Sequence, residues 1–138
     1  MIKQLQEYTD AQKTIDKYID IFDDMVKDFM AWWRGCQWFE SIKIGENTCT
    51  VYYSETIMGE TETECIDIPT EIVEQYVQGD TGNATQRFIK WHKEEVERRK
   101  IAEKEREKRE AEERAKQSEE AQYKQYLKLK EKYEKEGK

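Results

Sequence analysis

From Ala84 to Glu136 the chain contains neither proline nor glycine and is dominated by Glu, Lys and Arg. Little in that stretch can build a core, so a globular fold has to come from residues 1–83. Glu stands four residues before Arg or Lys at 94/98, 95/99, 105/109, 110/114, 112/116, 120/124 and 131/135. Each such pair stabilises an isolated helix by only about 0.2–0.5 kcal/mol. Together they predict one long solvated helix. Between Ala102 and Ala121 its only apolar residues are alanines, so no heptad seam crosses the middle. The segment "QSEEAQ" at 117–122 is the expected site of a break, and the far end is the expected site of fraying. Tyr123, Tyr126, Leu127 and Tyr133 offer a candidate contact patch at that end.

The charge balance divides at the same place. Residues 1–83 carry 17 acids against 6 bases, a net of -11, and residues 84–138 carry 14 against 18, a net of +4. The expected organisation is therefore an acidic module over 1–83 followed by a highly charged helix over 84–138. A module of this size is near the lower limit for a self-sufficient core.

Within the module, Ile15, Ile19, Phe22, Val26, Phe29 and Trp33 are spaced alternately by four and three, the stripe of an amphipathic helix. The spacing predicts a helix over 10–34, opened by a Thr9/Gln12 capping box and stopped at Gly35. Residues 2–8 are left as a short lead-in helix or an extended arm. After Gly35 the period becomes two. "WFESIKI", "TCTVYY" and "TETECIDI" read as three antiparallel strands between 38 and 68, the first two joined by a tight turn at "GEN" and the last two by the loop "SETIMGE". On this parity Trp38 joins Ile42 and Ile44, and both Trp33 and Trp38 enter the core. Cys49 and Cys65 are expected on the packed face. Pro69 ends the third strand, Thr70 caps a short helix that Gly79 stops, and Asn83 with Gln86 opens the last helix. The fold class is α+β: an N-terminal amphipathic helix packed on a three-stranded antiparallel sheet, a short helix, then a long charged C-terminal helix.

Chemistry finds little support. The one histidine, His92, lies in "KWHKEE" and is expected as an exposed helix residue. No Ser or Cys is paired with it in a nucleophile pattern, and "GDTGN" lacks the lysine and hydroxyl of a phosphate loop. Cys36, Cys49, Cys65 and His92 have neither the short cysteine knuckle nor the histidine spacing of a zinc site. Three widely spaced cysteines are expected as reduced thiols of a cytoplasmic protein. No apolar run of signal-peptide or membrane-spanning length is present. The expectation is a non-enzymatic protein without cofactor, metal or membrane partner, and its acidic balance opposes direct binding of nucleic acid.

The acids themselves form rows. Asp16, Asp20, Asp24 and Asp28 recur every four residues, with Asp23 beside them, and successive members are about 6 Å apart along a helix axis. Glu60, Glu62 and Glu64 repeat at strand period. Such rows can imitate a nucleic-acid backbone. Trp32, off the apolar stripe and beside the acid row, is the tryptophan singled out as a contact residue.

The segment "TCTVYYSETIMGETETECIDIP", residues 48–69, resembles the strand–loop–strand–Ile-Pro segment of many small phage-encoded proteins. Size, acidity and a charged helical end are similar to phage inhibitors of host defence, including anti-CRISPR proteins. The resemblance implies a protein of the host-cell cytoplasm that occludes a nucleoprotein machine, and it carries over no functional residue. The leading expectation is an interaction module, a binder or inhibitor that covers a basic nucleic-acid-binding groove of a larger protein. Alternatives are a structural homo-oligomer joined through the C-terminal helices, and a protein sequestering a small ligand or nucleotide between helix and sheet aromatics.

Overall fold

A computed structural model describes residues 2–136, so positions 1 and 137–138 of the two expected parts lie outside the described residues. The chain runs α1 (Ile2–Phe29), β1 (Cys36–Ile44), β2 (Thr48–Ile57), β3 (Glu60–Pro69), α2 (Thr70–Val77) and α3 (Thr81–Glu136). The strands form one antiparallel sheet in the order β1-β2-β3. This is the α+β arrangement anticipated from the periodicities.

The residues divide into two compact units, one through His92 and the other from Lys93. The first unit reaches past residue 83 because Ala84 and Phe88 are wholly buried in its core. There the Phe88 ring stacks on Phe29 at 4.5 Å, and Tyr76 meets Phe29 edge-on at 5.4 Å. Phe22, Met25 and Val26 complete the α1 contribution, with Met30 just beyond its end, against Cys49, Val51, Tyr53 and Ile68 of the sheet and Ile72 and Val73 of α2.

α1 begins and ends earlier than its apolar spacing predicts. It is helical from Ile2, where Thr9 is an interior residue whose hydroxyl donates back to the Leu5 carbonyl rather than capping. It stops at Phe29, and Trp33 N–H closes a turn on Met30 O. Gly35 then takes a positive φ, and a Cβ there would meet the Thr56 carbonyl oxygen at 2.3 Å. Only the last third of α1 is covered. Ile15 and Ile19, expected in the core, are 51% and 45% exposed. A helix of this length spans about 42 Å, longer than a strand of ten residues at about 33 Å.

Parity along β1 is broken by a bulge between Phe39 and Ser41. The extra residue, Glu40, puts Phe39 opposite Tyr53 on the packed face and turns Trp38 to the other face, opposite Ser54. Trp38 is therefore not a core partner of Ile42. Its indole N–H donates to Glu40 Oε1 at 2.8 Å, and the Ser54 hydroxyl donates to the same oxygen at 2.6 Å. Cys49 is buried on the packed face, whereas Cys65 pairs with Tyr52 on the opposite face and is exposed.

The remaining boundaries differ in detail. β2 and β3 run through most of the expected loop and meet in a two-residue turn, Met58-Gly59, both at positive φ. Thr70 is the first residue of α2, and its hydroxyl donates to the Gly45 carbonyl instead of capping. α3 starts at Thr81, so Asn83 lies inside its first turn and donates to Asp80. In the second unit α3 is continuous through 117–122, exposed from Val96 to Glu136, and carries ion pairs such as Arg106–Glu103 and Lys135–Glu131.

Candidate interaction surface

At roughly 100° per residue, the side of α1 opposite Phe22, Met25, Val26 and Phe29 carries Asp16, Asp20 and Asp24. All three are exposed, and none makes an ion pair among the described residues. Asp16 accepts only the Gln12 side-chain amide at 3.0 Å. Asp23 and Asp28, grouped with them by spacing, fall on the two flanks of the helix and do structural work.

Asp23 pairs with Lys27 at 2.7 Å and accepts the Phe39 N–H at 3.0 Å, at the β1 bulge. Partial burial works against its charge. The Lys27 ammonium and the Phe39 N–H outweigh that cost and hold the carboxyl below its ordinary range. On the other flank Asp28 accepts the Tyr76 hydroxyl at 2.5 Å. Burial, reinforced by this bond, raises the Tyr76 phenol well above its usual value.

Glu60, Glu62 and Glu64 share a sheet face with Ile66 and Ile68. Ile68 is buried under the helices, while the three glutamates occupy the hairpin end and are exposed. α1 lies on that same face, through Phe22 against Phe39 at 5.4 Å. The outward side of α1 and the glutamate row are thus presented to the same side of the sheet. The sequence pattern missed Glu55, which the register places opposite Glu62. Gln37, itself buried, donates to Glu55 at 3.1 Å and so steadies it. Glu55, Glu60 and Glu62, with Ile57 and Met58, line a shallow concavity of about 320 Å³.

Trp32 is 47% exposed at the rim of an aromatic cluster, edge-on to Trp33 at 5.8 Å. Trp33 packs on Tyr53 at 6.0 Å and on His92 at 5.0 Å. His92 is half-buried among these rings and Phe88 rather than exposed, because its position on α3 follows the buried Phe88 by one turn. In the second unit Tyr123, Tyr126, Leu127 and Tyr133 are all exposed, as is Leu129 beside them.

Two apolar grooves flank α1 where it leaves the sheet. One, of about 490 Å³, lies between α1, the sheet and α2, with Tyr18, Phe22, Ile44, Val73 and Val77 among its walls. The other runs between α1 and β1 past Ile15, Ile19 and Ile42. Tyr18 and Phe22 line both.

Among the described residues no cluster of His, Cys, Asp or Glu is arranged to hold a metal ion, and no helix is long and apolar enough to cross a membrane. Comparison of the chain with protein-family models, with curated proteins and with solved structures gave no match.

Proposed function

We propose that this is a non-enzymatic interaction protein whose acidic face occludes a basic, nucleic-acid-binding surface of a larger protein, as an inhibitor of phage type would. One observation carries the reading: Asp16, Asp20 and Asp24 on α1 and Glu60, Glu62 and Glu64 on β3 face the same side of the sheet with no ion pair among the described residues. An excess of -11 over residues 1–83 costs self-repulsion unless a cationic surface meets it. Opposite charge would speed encounter and fix the orientation of docking. Trp32, 47% exposed at the rim of its aromatic cluster, would supply the apolar anchor that such a contact uses.

The test is capture from nuclease-treated host lysate on the immobilised chain, followed by elution with duplex DNA or structured RNA. The expected result is a nucleic-acid-binding protein that nucleic acid displaces. Retention unaffected by nucleic acid at matched ionic strength would overturn the occlusion mechanism.

A further inference from the structure

The apolar stripe of α1 does not stop where the sheet stops covering it. Leu5, Tyr8, Gln12, Ile15, Ile19, Phe22, Val26 and Phe29 keep the alternating three–four spacing over the whole helix, and only Phe22 onward is buried. Leu5 and Tyr8 are 62% and 69% exposed. Positions flanking the bare part are Gln4, Thr9, Ala11 and Tyr18, all uncharged, and Asp16. Lys3, Glu7, Asp10, Lys13, Lys17 and Asp20 all lie on the remaining surface. An apolar seam whose shoulders are uncharged but for Asp16, extending a core stripe into solvent, is built to meet another helix.

We infer that the occupant is α1 of a second copy of this chain, packed antiparallel. Paired helices sit 8–10 Å apart, and a sheet layer alone needs about 10 Å. A parallel pair would bring both sheets between the helices at one end, where there is no room. Antiparallel pairing places each sheet beyond the opposite end. The register that covers the whole bare stripe sets Tyr8 against Ile19 of the second copy and Gln12 against Ile15 of the second copy. Leu5 then reaches Phe22 of the second copy, where the two grooves open.

The flanking residues raise no objection in this register. Thr9 approaches Asp16 of the second copy and Ala11 approaches Tyr18 of the second copy, so no like charges meet. Gln12 already donates to Asp16, which keeps its amide bonded when it enters the seam. Covering Ile2, Leu5, Tyr8, Ile15, Tyr18 and Ile19 on both copies removes on the order of 1,200 Å² of surface, the lower end of stable interfaces. Asp20 and Asp24 lie on the other side of the helix and stay open in the dimer, while Asp16 stands at the edge of the seam, so the dimer leaves most of the acidic face proposed above accessible.

Sedimentation velocity on the full chain tests the inference. The expected result is a concentration-dependent species of twice 16.7 kDa. The Ile15→Asp/Ile19→Asp variant is expected to be monomeric, with the circular-dichroism melt of the sheet unit retained. Tyr126→Asp/Tyr133→Asp is expected to dimerise as the native chain does. In a Cys36→Ser/Cys65→Ser background, Tyr8→Cys/Ile19→Cys should form an intermolecular disulfide and Ile19→Cys alone, about 16 Å from its equivalent in the antiparallel register, should not. A monomer at every concentration overturns the proposal, as does a dimer lost only with the α3 tyrosines. Crosslinking through Ile19→Cys alone overturns the antiparallel arrangement.

Discussion

Tyr76 donates its hydroxyl to Asp28 Oδ2 across 2.5 Å, joining α2 to the flank of α1. Asp28 therefore belongs to the fold, whereas Asp20 and Asp24, spaced as regularly in sequence, belong to the surface. Tyr76→Phe is expected to cost about 1–2 kcal/mol in urea unfolding. Asp20→Asn and Asp24→Asn should each change stability by less than about 0.5 kcal/mol.

Asp23 holds the β1 bulge through the Phe39 N–H. Asp23→Ala leaves that donor without its acceptor and is expected to cost about 1–3 kcal/mol. The folded carboxyl titrates below its ordinary value of 3.8, so its contribution is present above that pH and is lost as pH falls through the lowered value. Acid unfolding curves of native and variant chains should converge below about pH 4.

Burial, helped by Glu55 and Glu64, pushes the Tyr53 phenol up to about 12. The raised value favours the folded state below pH 10 and withdraws that stability between 10 and about 12. Tyr53→Phe should flatten the fall in melting temperature across this window, relative to the native chain.

The hairpin turn places Met58 at φ 54 with a fully exposed side chain. A left-handed conformation disfavours Met and suits Asn, and Asn-Gly is the preferred pair for two residues at positive φ. Met58→Asn is expected to raise stability by roughly 0.5–1 kcal/mol, read from the urea midpoint.

Element types and order were legible because the period changes from three–four to two at Gly35 and back after Pro69. What spacing cannot report is where a neighbour stops. Ile15 and Phe29 obey one pattern, yet only Phe29 is buried, against Tyr76 of α2 and Phe88 of α3. Nor can alternation reveal an inserted residue: Glu40 reverses every assignment before it, so strict alternation puts Trp38 on the packed face where the bulge turns it to the other. The Met58-Gly59 turn escaped because Met carries no turn signal, so five paired residues, Ser54 to Ile57 and Glu60, looked like loop. Of the acids, spacing picked out Asp16, Asp20, Asp24, Glu60, Glu62 and Glu64 but not Glu55, which only the β2–β3 register brings beside them, and the flanks at Asp23 and Asp28 are set by where β1 and Tyr76 lie.

The most direct measurement is the salt dependence of affinity for the captured partner. It compares the native chain with a variant carrying Asp16→Asn, Asp20→Asn, Asp24→Asn, Glu60→Gln, Glu62→Gln and Glu64→Gln. The account predicts affinity that falls steeply with salt in the native chain, and at least about tenfold weaker binding with a shallower salt slope in the variant. Equal affinity and equal slope would contradict it.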